Sequence, residues 1–242
     1  MCYNISNSTK EESILEKRLQ AKYPKKLGQL KINFSVSGFT HPKLPVLTTE
    51  LPNEFQILHW GLIPKWTPSA DLVKQFRINN LNSKSETIFE KRSFSGPVKK
   101  NRCLIPVTAF FEWRDVNKKK YPYLIKLKNE EIFCLGGIYD EWVNKETGEI
   151  LNTFSIVTTE ANPLMQKIHN LKLRMPLIFS KETEKEWLNP DLSENEIKNL
   201  MKPLDENLMV AYTISKRITS RTENPNDPDT LIPFIYSELQ EL

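Results

Sequence analysis

The chain has 242 residues, 39% hydrophobic and 26% charged, with 34 Lys and Arg against 30 Asp and Glu for a formal net charge of +4. That balance excludes a disordered tail, and no apolar run approaches the ~18 residues of a membrane span. The length suits one large domain able to bury a core without disulfide staples, and the mild positive charge permits nucleic acid as a partner without demanding it.

In chain order, Ser8-Thr9-Lys10-Glu11-Glu12 carries two overlapping S/T-x-x-E capping patterns, and Ile14, Leu15 and Leu19 predict a helix to about Tyr23. Residues 24–54, rich in Pro, Lys and turn formers, read as irregular structure with short strands. Phe55–Trp60 reads as a strand, and Gly61 to Pro68 as a loop. Asn82 or Ser83 is placed to cap a helix running through Phe94. Leu104–Trp113, Tyr123–Leu127, Ile132–Tyr139 and Thr153–Thr159 are β-branched and apolar runs spaced for an antiparallel, highly curved sheet. Asn162-Pro163 starts a helix, Ser193–Glu196 opens another to about Met201, and Val210–Ile214 suits a late strand. Strands dominate the middle and helices the flanks. The expectation is α+β: a single compact domain over residues 1–242, around a strongly twisted, barrel-like, mostly antiparallel sheet with flanking helices.

Motif exclusions narrow the chemistry. The seven glycines support neither G-x-G-x-x-G nor a phosphate loop, and G-x-S-x-G is absent. His41, His59 and His169, with Cys2, Cys103 and Cys134, are scattered without C-x-x-C or H-E-x-x-H, so neither a metal nor a cofactor is expected. Sparse, odd cysteines fit a reducing cytoplasm, and the start lacks the basic-then-apolar pattern of an export signal.

Cys2 stands out by position. With Met1 removed it would present a thiol and an α-amine on adjacent carbons, with ordinary pKa values of about 8.5 and 7.7–8.0. An aldehyde meeting such a pair forms an imine with the amine, and thiol attack then closes a thiazolidine ring. The plain alternative is an arbitrary residue in a frayed terminus. Glu112 lies in Ala109-Phe110-Phe111-Glu112-Trp113, where alternation puts Phe110 and Glu112 on one face and Phe111 and Trp113 on the other. A carboxyl among aromatics is desolvated, which raises its pKa toward the range useful for proton transfer. The alternative is a strand-end glutamate in water. His169 titrates near neutrality and follows the helix begun at Pro163. Asn82 can orient a ligand hydroxyl as donor and acceptor, or simply cap a helix. Trp60, Lys65, Trp66, Lys74, Arg77 and Lys84 interleave aromatic and basic groups as a nucleic-acid surface does, or put tryptophans in a core beneath a charged face.

Together these segments resemble the SRAP family, the SOS response-associated peptidases or abasic-site processing proteins. The resemblance rests on an ordered set: Met1-Cys2; Trp60-Gly61-Leu62-Ile63-Pro64-Lys65-Trp66; Asn82-Ser83-Lys84-Ser85-Glu86-Thr87; Arg102-Cys103-Leu104-Ile105-Pro106 leading to Phe110-Phe111-Glu112-Trp113; Ile156-Val157-Thr158-Thr159; and His169 with Arg174-Met175-Pro176. It implies binding of single-stranded DNA that contains an abasic site, whose ring-opened sugar exposes an aldehyde, and capture of that aldehyde by Cys2 as a covalent thiazolidine crosslink. Carried over by position, Cys2 is the nucleophile, Glu112 a proton shuttle, His169 the acid for sugar-ring opening, and Asn82 the group that positions the terminus or sugar. Trp60, Trp66, Arg77, Lys84, Thr158 and Arg174 are the expected DNA-contacting set, and the protein is expected to act as a monomer with no membrane partner.

Three departures accompany the likeness. Tyr3 and Asn4 follow Cys2 where the family has Gly and Arg. Asn82-Ser83-Lys84 replaces Asn-Ala-Arg, keeping the charge and losing the bidentate fork. Four residues separate His169 from Arg174 where the family has one. Lyase activity at the same pocket accompanies the capture reading, and a Cys2-dependent autoprotease or peptidase and a noncovalent single-strand-binding module are the competing readings.

Overall fold

The apolar middle of the chain pairs with itself twice. The computed structural model describes residues 2–239 and is α+β throughout. Its strands are β1 (Asn4–Asn7), β2 (Asn33–Ser37), β3 (Lys43–Thr48), β4 (Gln56–Trp60), β5 (Asn82–Lys84), β6 (Arg102–Val107), β7 (Ala109–Val116), β8 (Lys119–Leu127), β9 (Phe133–Val143), β10 (Ile150–Glu160), β11 (Arg174–Pro176) and β12 (Met209–Thr213). Its helices are α1 (Glu12–Leu19), α2 (Ala70–Asn79), α3 (Pro97–Lys100), α4 (Pro163–Ile168), α5 (Lys181–Trp187) and α6 (Glu194–Leu200).

One sheet closes on itself. Its order β10-β4-β3-β6-β9 returns to β10 through a long antiparallel β9–β10 pairing, which leaves no free edge around the ring. Closure needs close approach: a Cβ on Gly137 of β9 would lie 2.6 Å from Ile105 Cδ1 and 2.8 Å from Cys103 Sγ. Beyond the ring, β10 continues and takes β5 in parallel and β11 antiparallel. The second sheet, β12-β8-β7-β1-β2, is antiparallel throughout, and β1 is an interior strand, with Ile5 opposite both Val36 and Phe110.

One apolar cluster holds Cys2, Ile5, Trp60, Phe110, Phe154 and Ile156 and so takes residues from both sheets. A second, of Leu15, Phe55, Leu104, Trp187 and Ile197, seats α1, α5 and α6 on the ring. The Leu104–Trp113 run divides at Thr108 into β6 and β7, one strand in each sheet.

Helix starts follow local chemistry where the polar groups are free to cap. Asn162 Oδ1 accepts from Met165 N at 2.9 Å with Pro163 in the first turn of α4, and Ser193 and Glu196 form the expected reciprocal capping box of α6. The box expected at Ser8 and Thr9 is not used. Ser8 Oγ is bonded to Thr108 Oγ1 at 3.1 Å, and α1 starts at Glu12 without a side-chain cap and ends at Leu19, with Gln20 left-handed at φ 53°. The helix expected from Asn82 or Ser83 through Phe94 is corrected: residues 82–84 are a strand, because pairing with Ile156, Val157 and Thr158 of β10 overrides the local capping preference. A helix stands earlier instead, as α2, which buries none of its residues completely and so shows little apolar stripe in sequence.

A buried cation knots the far side. Arg102, at the start of β6, is fully buried and donates from Nε to Trp187 O (2.9 Å), from NH1 to Val98 O (3.0 Å) and Lys99 O (2.7 Å), and from NH2 to Asn189 O. It thereby satisfies carbonyls at the C-terminal ends of α3 and α5 that no helix bond can reach. Burial lowers its pKa to about 10, so it stays charged at neutral pH.

Candidate functional site

The site gathers where β1, β5, β7 and the end of α4 meet. One step beyond the last β1–β7 register pair, Asn4 with Phe111, come Tyr3 and Glu112. Alternation along β7 puts Phe110 in the cluster with Cys2 and turns Phe111 and Trp113 to the other side of the sheet. Cys2 is fully buried, its thiol donating to Asn4 O at 3.8 Å, and Asn82 Nδ2 donates to Cys2 O at 2.9 Å. Asn82 reaches there because β5 lies in parallel on β10, opposite Ile156. Its Oδ1 is buried and has no hydrogen-bond partner among the described residues. A buried amide oxygen without a donor is uncommon, and here it is an acceptor available to a ligand hydroxyl or an amine.

Glu112 and His169 face one another. The Glu112 carboxyl is buried, and burial pushes its pKa up to about 8. Burial also drives the His169 imidazole down to about 4. His169 Nε2 stands 3.6 Å from Glu112 Oε2. His169 Nδ1 lies 2.8 Å from Arg174 O, which can only accept, so Nδ1 carries the proton and the Nε2 lone pair faces the carboxyl. At neutral pH the contact therefore joins two neutral groups, and the proton is on Glu112. Burial and the neighbouring Glu112 hold the Cys2 thiol well above its usual range. The arrangement clusters a thiol, a carboxylic acid, a neutral imidazole and an amide oxygen. Among the described residues, no three His, Cys, Asp or Glu side chains converge as metal ligands do.

A family model described as SOS response associated peptidase (SRAP) matches residues 1–221. The chain belongs to the SRAP family. Its relatives include the abasic site processing protein YoqW of Bacillus subtilis (strain 168), 37% identical over 183 residues that span 75% of this chain and 78% of that protein. The abasic site processing protein HMCES of Pongo abelii is 27% identical over 214 residues, 76% of this chain and 58% of that protein. Among solved structures, a Bacteroides thetaiotaomicron protein superposes with a TM-score of 0.90 at 40% identity, covering 97% of this chain and all of its own.

The outer residues of this SRAP pocket divide into two groups. Thr158 is buried on β10 with Lys84 on one side and Pro176 on the other, and Lys84 is exposed. Arg174 opens β11, so the longer spacing after His169 is absorbed in the turn at residues 170–173. Its NH2 donates to Thr158 O at 2.6 Å and Oγ1 at 3.2 Å, and its NH1 pairs with Glu86 at 2.5 Å. Burial works against ionisation of Glu86, but Arg174 more than offsets it and the carboxyl sits below its usual range. That pairing was hidden in the sequence, where the two residues stand far apart, although Glu86 belongs to the same motif as Asn82.

The aromatic expectations fare differently. Trp60 is fully buried, packs against Gly38 and stacks on Phe154 at 6.1 Å, and its Nε1 donates to Leu81 O at 2.8 Å. The expectation that it touches DNA is corrected: it is a core residue with no face to offer. A Cβ on Gly38 would lie 2.9 Å from its ring, so that glycine makes room for it. Trp66 is half-buried, with the Arg92 guanidinium 4.1 Å over its ring and Phe76 of α2 against its edge. Arg77 is half-buried beside the His41 carbonyl, at 3.5 Å. Neither is tied to the Cys2 cluster by a hydrogen bond or ring contact.

Proposed function

We propose that this SRAP protein recognises abasic sites in single-stranded DNA and captures them covalently through Cys2 once Met1 is removed. The observation that carries the reading is the convergence of Cys2, Asn82, Glu112 and His169, far apart in sequence, in one buried polar cluster. The names of its relatives, abasic site processing proteins, support the same substrate class.

The step balances without a cofactor. The freed Cys2 amine adds to the aldehyde carbon of the ring-opened sugar, forming a C–N bond. The resulting hydroxyl leaves as water after taking a proton, which gives an imine. The thiol then adds to the imine carbon, a C–S bond forms, and the thiol proton ends on nitrogen in the thiazolidine. Glu112, with a pKa near 8, is suited to give the first proton and to carry the second. His169, held neutral, is suited to accept at Nε2 first and to act as an acid only after relay from Glu112. Asn82 fixes the Cys2 carbonyl and offers Oδ1 to the amine or a sugar hydroxyl. Lys84 supplies charge for a neighbouring phosphate.

The test mixes processed protein with single-stranded oligonucleotides, with and without an abasic site, on a denaturing gel. A slow-migrating band with the abasic strand alone, lost in Cys2→Ala, is the expected result. Salt-sensitive binding to both strands with no covalent band would overturn it in favour of a binding module. Cys2-dependent cleavage of an unrelated peptide would favour a peptidase.

A further inference from the structure

A cavity of about 420 Å³ opens onto Glu112 and His169, within the size range of small-molecule sites. Tyr3, Trp113 and Leu171 give it apolar walls, and Lys120 and Lys172 stand on its lining. Leu171 is 64% exposed, beside a pocket whose floor is polar.

The turn that carries Leu171 and Lys172 is a held shelf. The amides of Lys172 and Leu173 both donate to His169 O, at 3.2 and 2.9 Å, and Leu173 takes a left-handed φ of 51°. Asn170 clamps the turn to β7 in both directions: its Oδ1 accepts from Asp115 N at 3.0 Å and its Nδ2 donates to Asp115 O at 2.8 Å. Asp115, the acid on this wall, accepts from Lys118 N at 3.1 Å. Across the cavity, the Tyr3 ring is braced by Phe39 at 4.9 Å. Holding an exposed leucine in a fixed turn over a catalytic pair makes physical sense when something apolar covers it. Aromatic and aliphatic walls with ammonium groups beside them suit a heterocycle joined to a phosphate.

We propose that this cavity is a base subsite: it takes the heterocycle of the nucleotide adjoining the abasic residue against Leu171, Tyr3 and Trp113, with Lys120 and Lys172 facing that nucleotide's phosphate. The assignment rests on the capture reading above and deepens it, because a base seated here is unpaired. The site thereby selects single strands and fixes which neighbour of the lesion is read.

Three strands test it. One carries bases on both sides of the abasic residue. The other two replace the 5′ or the 3′ neighbour with a reduced, aldehyde-free abasic residue that has no base. Crosslinking should slow about tenfold when the base is missing on one side and change less than about twofold on the other, the scale of one base–aromatic stack. Leu171→Ser, at an exposed position, should react with all three strands at the slow rate. Wild-type protein reacting equally with all three, or Leu171→Ser keeping the wild-type preference, overturns the subsite and leaves capture standing. Wild-type protein reacting with none overturns capture, and the subsite with it.

Discussion

Arg102 opens β6 and Glu112 lies in β7, both buried, and the two ionisable groups are treated in opposite ways. Every nitrogen of the Arg102 guanidinium donates to a carbonyl, and the charge survives burial. Around Glu112, burial raises the carboxyl to about 8 and lowers its histidine to about 4, while Asn82 Oδ1 and Arg174 Nε have no hydrogen-bond partner among the described residues. A fully satisfied polar cluster contributes rigidity; an under-satisfied one carries a cost that a ligand can relieve. The contrast sets a structural cluster apart from the candidate site inside one fold.

The sharpest way to break it is Cys2→Ala, which should reduce crosslinking to background on a denaturing gel while leaving the urea midpoint within about 1 kcal/mol, since only a sulfur is removed from a packed site. Arg102→Leu should do the reverse. It strands carbonyls at two helix ends and should cost about 3 kcal/mol or more in urea unfolding, with crosslinking per folded molecule unchanged. If Arg102→Leu were neutral, the satisfied cluster would not be structural.

Glu112→Gln should slow crosslinking about 100-fold, the scale of a lost general acid. It also has a stability signature. Glu112 has a folded pKa near 8, above its unfolded value of about 4.3, so its contribution is present in acid and lost as pH rises toward 8. His169 works the other way, its folded value of about 4 lying below the unfolded 6.5, so stability falls as pH drops from 6.5 to 4. The two slopes oppose one another below pH 6.5. The wild type should therefore lose stability between pH 6.5 and 8, and Glu112→Gln should flatten that limb in urea titrations at a series of pH values.

Smaller effects sharpen the comparison. Asn82→Ala deletes one bond and one unpaired acceptor together, so stability should move by less than about 1 kcal/mol while the crosslinking rate falls about tenfold. Lys84→Gln should weaken DNA binding uniformly across sequences and reduce the slope of log affinity against log salt by about one.

Much of this was legible in the residues. Period-two alternation placed Glu112 beside Phe110, and Asn162-Pro163 and Ser193–Glu196 announced their helices, because those signals are local and nothing stronger competes. Expectations failed where tertiary contacts decide, as when Ser8 bonds Thr108 instead of capping α1. Asn82-Ser83 carries cap chemistry but has β10 beside it. Trp60 stands ahead of Lys65, Lys74 and Lys84 in sequence, while the space at Gly38 and the stacking on Phe154 hold it inside. Arg102 gave no warning, since a charged residue before an apolar run reads as the edge of a strand. The convergence of Cys2, Asn82, Glu112 and His169 depends on two sheets meeting, which no window of sequence contains.

The interior place of β1 sets an order of events. Its partner in β7 comprises residues 109–111, which a ribosome reaches roughly 5–20 s after the first residues at ~5–20 residues per second. Until then the segment that carries Cys2 has no strand to lie against on that side. Once β7 docks, Cys2 is sealed. The order of synthesis thus decides when the segment around Cys2 passes from open chain to interior strand.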